Sequence, residues 1–182
     1  MLSRSPESMM IKKAKHFAGG AHEGQVRNFQ DVPYILHPVS VAKLVEVYSE
    51  SDSTNLLRVV ALLHDTVEDT EVSLSEISSE FNRKVAAIVE ELTNDEDKID
   101  KAGKTAYLQE TLVEMSDNAL YVKLCDRLDN VLDLKLTPTY FRKRYAQATK
   151  KVIKHLISKR DLTNPQKQVA SKIEETLVDL QY

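Results

Sequence analysis

The chain has 182 residues, a net charge of −3, a pI near 6.0 and 42% hydrophobic residues, which excludes a disordered polymer and a nucleic-acid binder that works by bulk positive charge. Only 4 Gly and 5 Pro punctuate it, too few for the turns of a β-sandwich or barrel. Aromatic residues are 6% with no Trp, so a platform for stacking bases is also excluded.

In chain order the pattern is a series of helices. Pro6–Ala21 reads as the first, and Gly24–Leu36 as a loop broken by Gly24, Asp31 and Pro33. Pro38, at a first-turn position, opens a helix to Tyr48. Thr54–Glu68 is predicted as one long helix, with Leu56, Val59, Val60, Leu63 and Val67 at helical spacing. Ser73 and Glu76 form a capping box for a helix to Phe81. Arg83–Thr93 follows, then a charged loop, Asn94–Lys101. Lys104–Met115, Asn118–Leu134, Thr137–Lys159 and Asn164–Leu180 complete the all-α reading. No repeat or linker divides the chain, so one domain over 1–182 is expected.

Cys125 is the single cysteine, which rules out an intrachain disulfide and fits a reducing compartment. Met1–Met10 carries charges and Pro6 but no apolar core, so it does not read as a secretory signal. The longest apolar run, Val59–Leu63, is far too short to span a bilayer, and a cytoplasmic protein is expected.

Four residues carry the chemistry: His37, the adjacent pair His64–Asp65, and Asp126. Two imidazoles and two carboxylates suit a mixed nitrogen and oxygen site for a divalent cation. Asp65 and Asp126 both lie among apolar residues, where a carboxylate needs a partner and a cation supplies one. Taken singly, each has an ordinary reading: His37 could cap a turn, and Asp126 could pair with Arg127 or Lys123. Glu68 follows His64 by four, and Asp69 follows Asp65 by four, so each pair shares a helix face. A carboxylate pair beside the cation could serve as general base and acid for a hydrolytic water.

The combination is more specific than its parts. Pro33-Tyr-Ile-Leu-His37-Pro, Leu62-Leu-His64-Asp65-Thr-Val-Glu68-Asp69-Thr and Lys123-Leu-Cys-Asp126-Arg-Leu-Asp-Asn130 resemble, in order, three signatures of the RelA/SpoT hydrolase domain. Gly24-Gln-Val-Arg27 resembles a fourth, and the likeness runs over about residues 14–135, with a helical extension over 137–182. The resemblance implies an HD-type orthogonal bundle of about eight to ten helices. It implies that His37, His64, Asp65 and Asp126 hold one metal ion, usually manganese, and that Glu68 and Asp69 are catalytic. No His occurs between Asp65 and Asp126, where dinuclear HD enzymes generally place further ligands, so a single ion is expected.

Members of that family remove the 3′-pyrophosphate from guanosine tetra- and pentaphosphate (ppGpp and pppGpp), releasing pyrophosphate and GDP or GTP. By the same likeness Arg27 would hold the guanosine and Asn130 the sugar, with Lys104, Arg142 and Tyr145 toward the far phosphate. A guanidinium suits this task because it pairs bidentately with phosphate or stacks on a purine. Asn28 stands where the family often has Lys or Arg, which bears on base selectivity. His16, His22 and His155 have no matching role, and His22 reads as structural. The chain leaves no room for a synthetase domain after the hydrolase, so a stand-alone alarmone hydrolase is expected. The alternatives are an NADPH 2′-phosphatase or other nucleotide phosphohydrolase with the same site, and a silent nucleotide-binding regulatory domain. The expected partner is a small nucleotide, with neither nucleic acid nor membrane, and the oligomeric state is open, a homodimer included.

Overall fold

The computed structural model describes residues 6–50 and 53–182, so the first half of the Met1–Met10 stretch lies outside the described residues. Those residues form eleven α-helices and one 3-10 turn, and their only strand-like pairing is a bridge between Val26 and Pro33. The all-α expectation holds. Among them no helix is long and apolar enough to cross a membrane. They divide into two compact units, one ending at Thr93 and the other spanning Asn94–Tyr182.

The N-terminal unit is built around α3 (Thr54–Leu63). Before it come α1 (Pro6–Ala21) and α2 (Leu36–Tyr48); after it come α4 (Thr66–Asp69), α5 (Leu74–Glu80) and α6 (Arg83–Leu92). α1, α2 and α6 all pack on α3. Burial is therefore not confined to one stripe: Leu57, Val59, Val60, Ala61, Leu62 and Leu63 are all inside, while Leu56 is half-buried. Each such leucine or valine contributes about 1.5–3 kcal/mol by leaving water. The predicted capping box of α5 is present, with Ser73 accepting from the Glu76 N–H and Glu76 accepting from the Ser73 N–H.

One prediction fails here. Thr54–Glu68 is not a single helix, because the chain turns at His64–Asp65. The Thr66 hydroxyl donates to the Leu63 carbonyl at 2.7 Å and the His64 ring bonds the Ala61 carbonyl at 2.8 Å, so side chains satisfy what would be helical acceptors. Helix periodicity cannot register such a break, since the apolar spacing continues through it.

The C-terminal unit contains α7 (Glu96–Ala102), α8 (Lys104–Glu114), α9 (Asp117–Leu132), the 3-10 turn η1 (Asp133–Leu136), α10 (Thr139–Lys159) and α11 (Asn164–Asp179). α9 is its buried axis; α11 packs along α9, and α10 along α8. The segment Asn94–Lys101, expected as a loop, contains most of α7. Asp95 caps it by accepting from the Lys98 N–H, and Gly103 ends it at φ +81°, a backbone angle that glycine adopts without strain. High charge suggested a loop; the cap and the terminating glycine decided otherwise. α11 starts on a capping box between Thr163 and Gln166, with Pro165 in its first turn.

Candidate functional site

In the N-terminal unit the turn after α3 delivers His64 and Asp65, and the first turn of α2 delivers His37. Both histidines are buried, at 1% and 3% exposure. The His64 Nε2 lies 3.1 Å and the His37 Nε2 3.6 Å from one atom, Asp65 Oδ2. The two rings meet edge-on with centroids 5.3 Å apart. The Ala61 carbonyl can only accept, so His64 Nδ1 carries a proton and Nε2 is the nitrogen turned toward the carboxylate. Two imidazole nitrogens and a carboxylate oxygen converging in this way fit a divalent cation, and the hydrogen bond behind His64 is the support such a ligand needs.

Around these three stands a group that sequence reasoning missed. Tyr34 donates its hydroxyl to Asp65 Oδ2 at 2.6 Å and approaches Asp69 Oδ2 at 3.4 Å. Its ring lies against His22 at 4.8 Å and His37 at 5.7 Å. Gln25 donates to the Asp69 carbonyl at 2.9 Å and faces His22 Nδ1 at 2.8 Å. The available signal was spacing: Tyr34 precedes His37 by three, across the entry to a helix.

Glu68 and Asp69 both fall within α4. The break at His64–Asp65 leaves one α-type bond across the turn, from the Asp69 N–H to the Asp65 carbonyl at 2.9 Å, so Asp69 still follows Asp65 by one turn. Partial burial, then the charges of Asp65 and Glu68, push the Asp69 carboxyl above the usual range, against the opposing pull of Tyr34 and His22. Arg27 is buried in the loop before α2, its N–H bonded to the Val32 carbonyl at 3.0 Å, while Asn28 beside it is exposed.

In the C-terminal unit Asp126 is buried on α9. Asn130, one turn on, donates to Asp126 Oδ1 at 2.7 Å, and Lys123, one turn back, lies 3.4 Å from Oδ2. Both oxygens are thereby oriented, and Lys123 is the ion-pair partner that the sequence offered for Asp126 beside Arg127. Tyr145 stacks on Phe141 and lies 5.0 Å under the Arg127 guanidinium; burial pushes its phenol up. Lys104 is exposed at the start of α8. Arg142 donates to the carbonyls of Leu134, Lys135 and Thr137 at 2.9, 3.0 and 2.8 Å, which ties η1 to α10. These bonds give Arg142 a structural task whatever else it contacts.

Residues 14–162 match the HD domain family. The chain is 38% identical over 132 residues to the Xenopus tropicalis protein named guanosine-3′,5′-bis(diphosphate) 3′-pyrophosphohydrolase MESH1, covering 72% of this chain and 73% of that one. It is 36% identical over 135 residues to the Homo sapiens protein of the same name, covering 72% and 74%. A solved structure, described as a metazoan ortholog of SpoT that hydrolyses ppGpp and plays a role in starvation responses, superposes with a TM-score of 0.80 at 26% identity. That match covers 99% of this chain and 98% of the other.

Proposed function

The chain belongs to the HD domain family, and on that premise we propose that it hydrolyses the 3′-pyrophosphate of guanosine 3′,5′-bis(diphosphate). The products are pyrophosphate and GDP, or GTP from the pentaphosphate. The observation that carries this reading is the pair of imidazole Nε2 atoms facing one oxygen of Asp65, next to the Glu68–Asp69 turn. It occurs in a chain that shares 38% identity with a named pyrophosphohydrolase over nearly three quarters of each.

The family match runs unbroken from residue 14 to residue 162, so we treat the two units as parts of one HD-type domain. His37, His64, Asp65 and Asp126 hold a single divalent cation in this reading. The support is chemical: His37, His64 and Asp126 are buried donors suited to a metal ion, and Asp65 has a carboxylate oxygen facing both histidines. Manganese is the proposed ion. When bound, it supplies Lewis acidity that offsets charge on the phosphoryl oxygens.

The protein's own groups do the rest. Glu68 and Asp69 orient the attacking water and handle its proton, a task favoured by the upward displacement of the Asp69 carboxyl toward working pH. Arg27 holds the guanine nucleotide and Asn130 its sugar. Lys104 and Tyr145 serve the far phosphate, and Arg142 contributes by fixing the turn before α10. We place the reaction in the cytoplasm.

The test is a substrate panel with manganese, in which pyrophosphate and orthophosphate are measured separately. Pyrophosphate from the tetraphosphate is expected. Orthophosphate from NADPH alone would replace this reading with a 2′-phosphatase, and no turnover of any nucleotide after manganese loading would leave a binding domain.

A further inference from the structure

We propose that His22 is a positioning residue of the reaction: through Gln25 and Tyr34 it holds the turn that carries Glu68 and Asp69. The inference deepens the proposed function and rests on the assignment of those two carboxylates to catalysis.

α4 has four residues, too few for a helix to persist on its own hydrogen bonds. Something outside it must hold it, and two contacts do. The Asp69 carbonyl, left open at the helix end, accepts from Gln25 Nε2 at 2.9 Å. The Asp69 carboxylate is approached by the Tyr34 hydroxyl at 3.4 Å, and the same hydroxyl donates to Asp65 at 2.6 Å. Both contacts come from the segment just after α1, and both lead back to His22.

The first link has a forced polarity. A carbonyl only accepts, so the nitrogen end of the Gln25 amide faces Asp69 and its oxygen end faces His22. His22 Nδ1, 2.8 Å from that oxygen, must therefore carry a proton and donate it. His22 Nε2 is buried with no hydrogen-bond partner, so the ring is anchored through the Nδ1 bond. The second link is packing: the His22 ring lies 4.8 Å from the Tyr34 ring. Backbone bonds close the unit, from the Gln25 N–H to the His22 carbonyl at 3.1 Å and from the Tyr34 N–H to the Gln25 carbonyl at 2.9 Å. A histidine that merely filled space would need neither the Nδ1 donor nor the relay.

The relay is tested by a double-mutant cycle on alarmone hydrolysis. His22→Phe keeps a ring against Tyr34 and removes the donor; Gln25→Ala removes the next link. Each is expected to lower kcat by about tenfold, the kinetic worth of one hydrogen bond, with KM and calorimetric manganese affinity within about twofold. The double variant should lose no more than either single one, because both break the same chain. His22→Asn, whose amide nitrogen can stand near Nδ1, should recover most of the rate.

Unchanged kcat in His22→Phe, or a double variant that loses the product of the two single losses, would overturn the relay. Should His22→Phe not fold, the comparison of His22→Asn with Gln25→Ala decides it. The ring-nitrogen NMR shifts of His22 in the wild-type protein give an independent reading. A proton on Nδ1 is expected, and one on Nε2 alone rejects the relay. A wild type that binds manganese and releases no pyrophosphate would instead sink the proposed function, while the NMR result would still decide the polarity.

Discussion

Replacing Tyr34 by Phe removes one oxygen and leaves the ring in place against His22 and His37. The lost hydroxyl is the 2.6 Å donor to Asp65 Oδ2, the oxygen that both imidazoles face. A carboxylate oxygen has two lone-pair directions; while the hydroxyl occupies one, the other stays turned toward His37 and His64. Without it the carboxylate can rotate, and an ion must order it on binding. A hydrogen bond to a charged group contributes about 1.5–3 kcal/mol. Full expression of that energy in ligand orientation corresponds to a roughly 10- to 150-fold weaker affinity. Supporting residues behind metal ligands typically account for about 10- to 100-fold, so the two estimates agree. The Asp65 side chain is 14% exposed, so water can replace little of the lost bond. The assay is calorimetric titration of metal-free protein with manganese, alongside the manganese dependence of the initial rate. Both midpoints should move together to higher metal concentration, with the melting temperature of the metal-free protein shifted by no more than about 6 °C. Manganese affinity within about twofold of wild type would refute the reasoning.

Glu68→Gln and Asp69→Asn should each abolish hydrolysis while calorimetric manganese binding persists; retained turnover would remove either from the catalytic set. Asp69→Asn should also stabilise the metal-free protein, since its carboxyl is raised by burial and by Asp65 and Glu68. The sign follows from linkage: a raised folded value means stability that is present at low pH and lost as pH rises through that value. Urea midpoints of variant and wild type should therefore separate as pH climbs above about 4, and parallel curves would count against the shift. Cys125 is buried with its thiol pushed well above the ordinary range, so alkylation at pH 8 should require unfolding. Arg142→Ala removes three hydrogen bonds to carbonyls in and just after η1 and should cost about 2 kcal/mol in chemical denaturation, with an unchanged midpoint showing that the turn holds itself.

Composition and periodicity by themselves determined the all-α class, most helix positions and the Ser73–Glu76 cap, because these depend on neighbours within a turn or two of chain. The ordered motifs around His37, His64–Asp65 and Asp126 marked where to look, since residue type and local spacing already limit what chemistry a segment can do. The break after Leu63 was decided elsewhere: Thr66 and His64 bond back to carbonyls that the apolar pattern assigns to a continuous helix. α7 formed because the Asp95 cap and Gly103 outweighed a charge-rich composition. Only the tertiary structure put the Tyr34 hydroxyl on Asp65 and the Gln25 amide on Asp69, 31 and 44 residues away. Hydrogen bonds of that reach depend on how the loop before α2 folds against the turn after α3. No periodicity within either segment encodes that meeting.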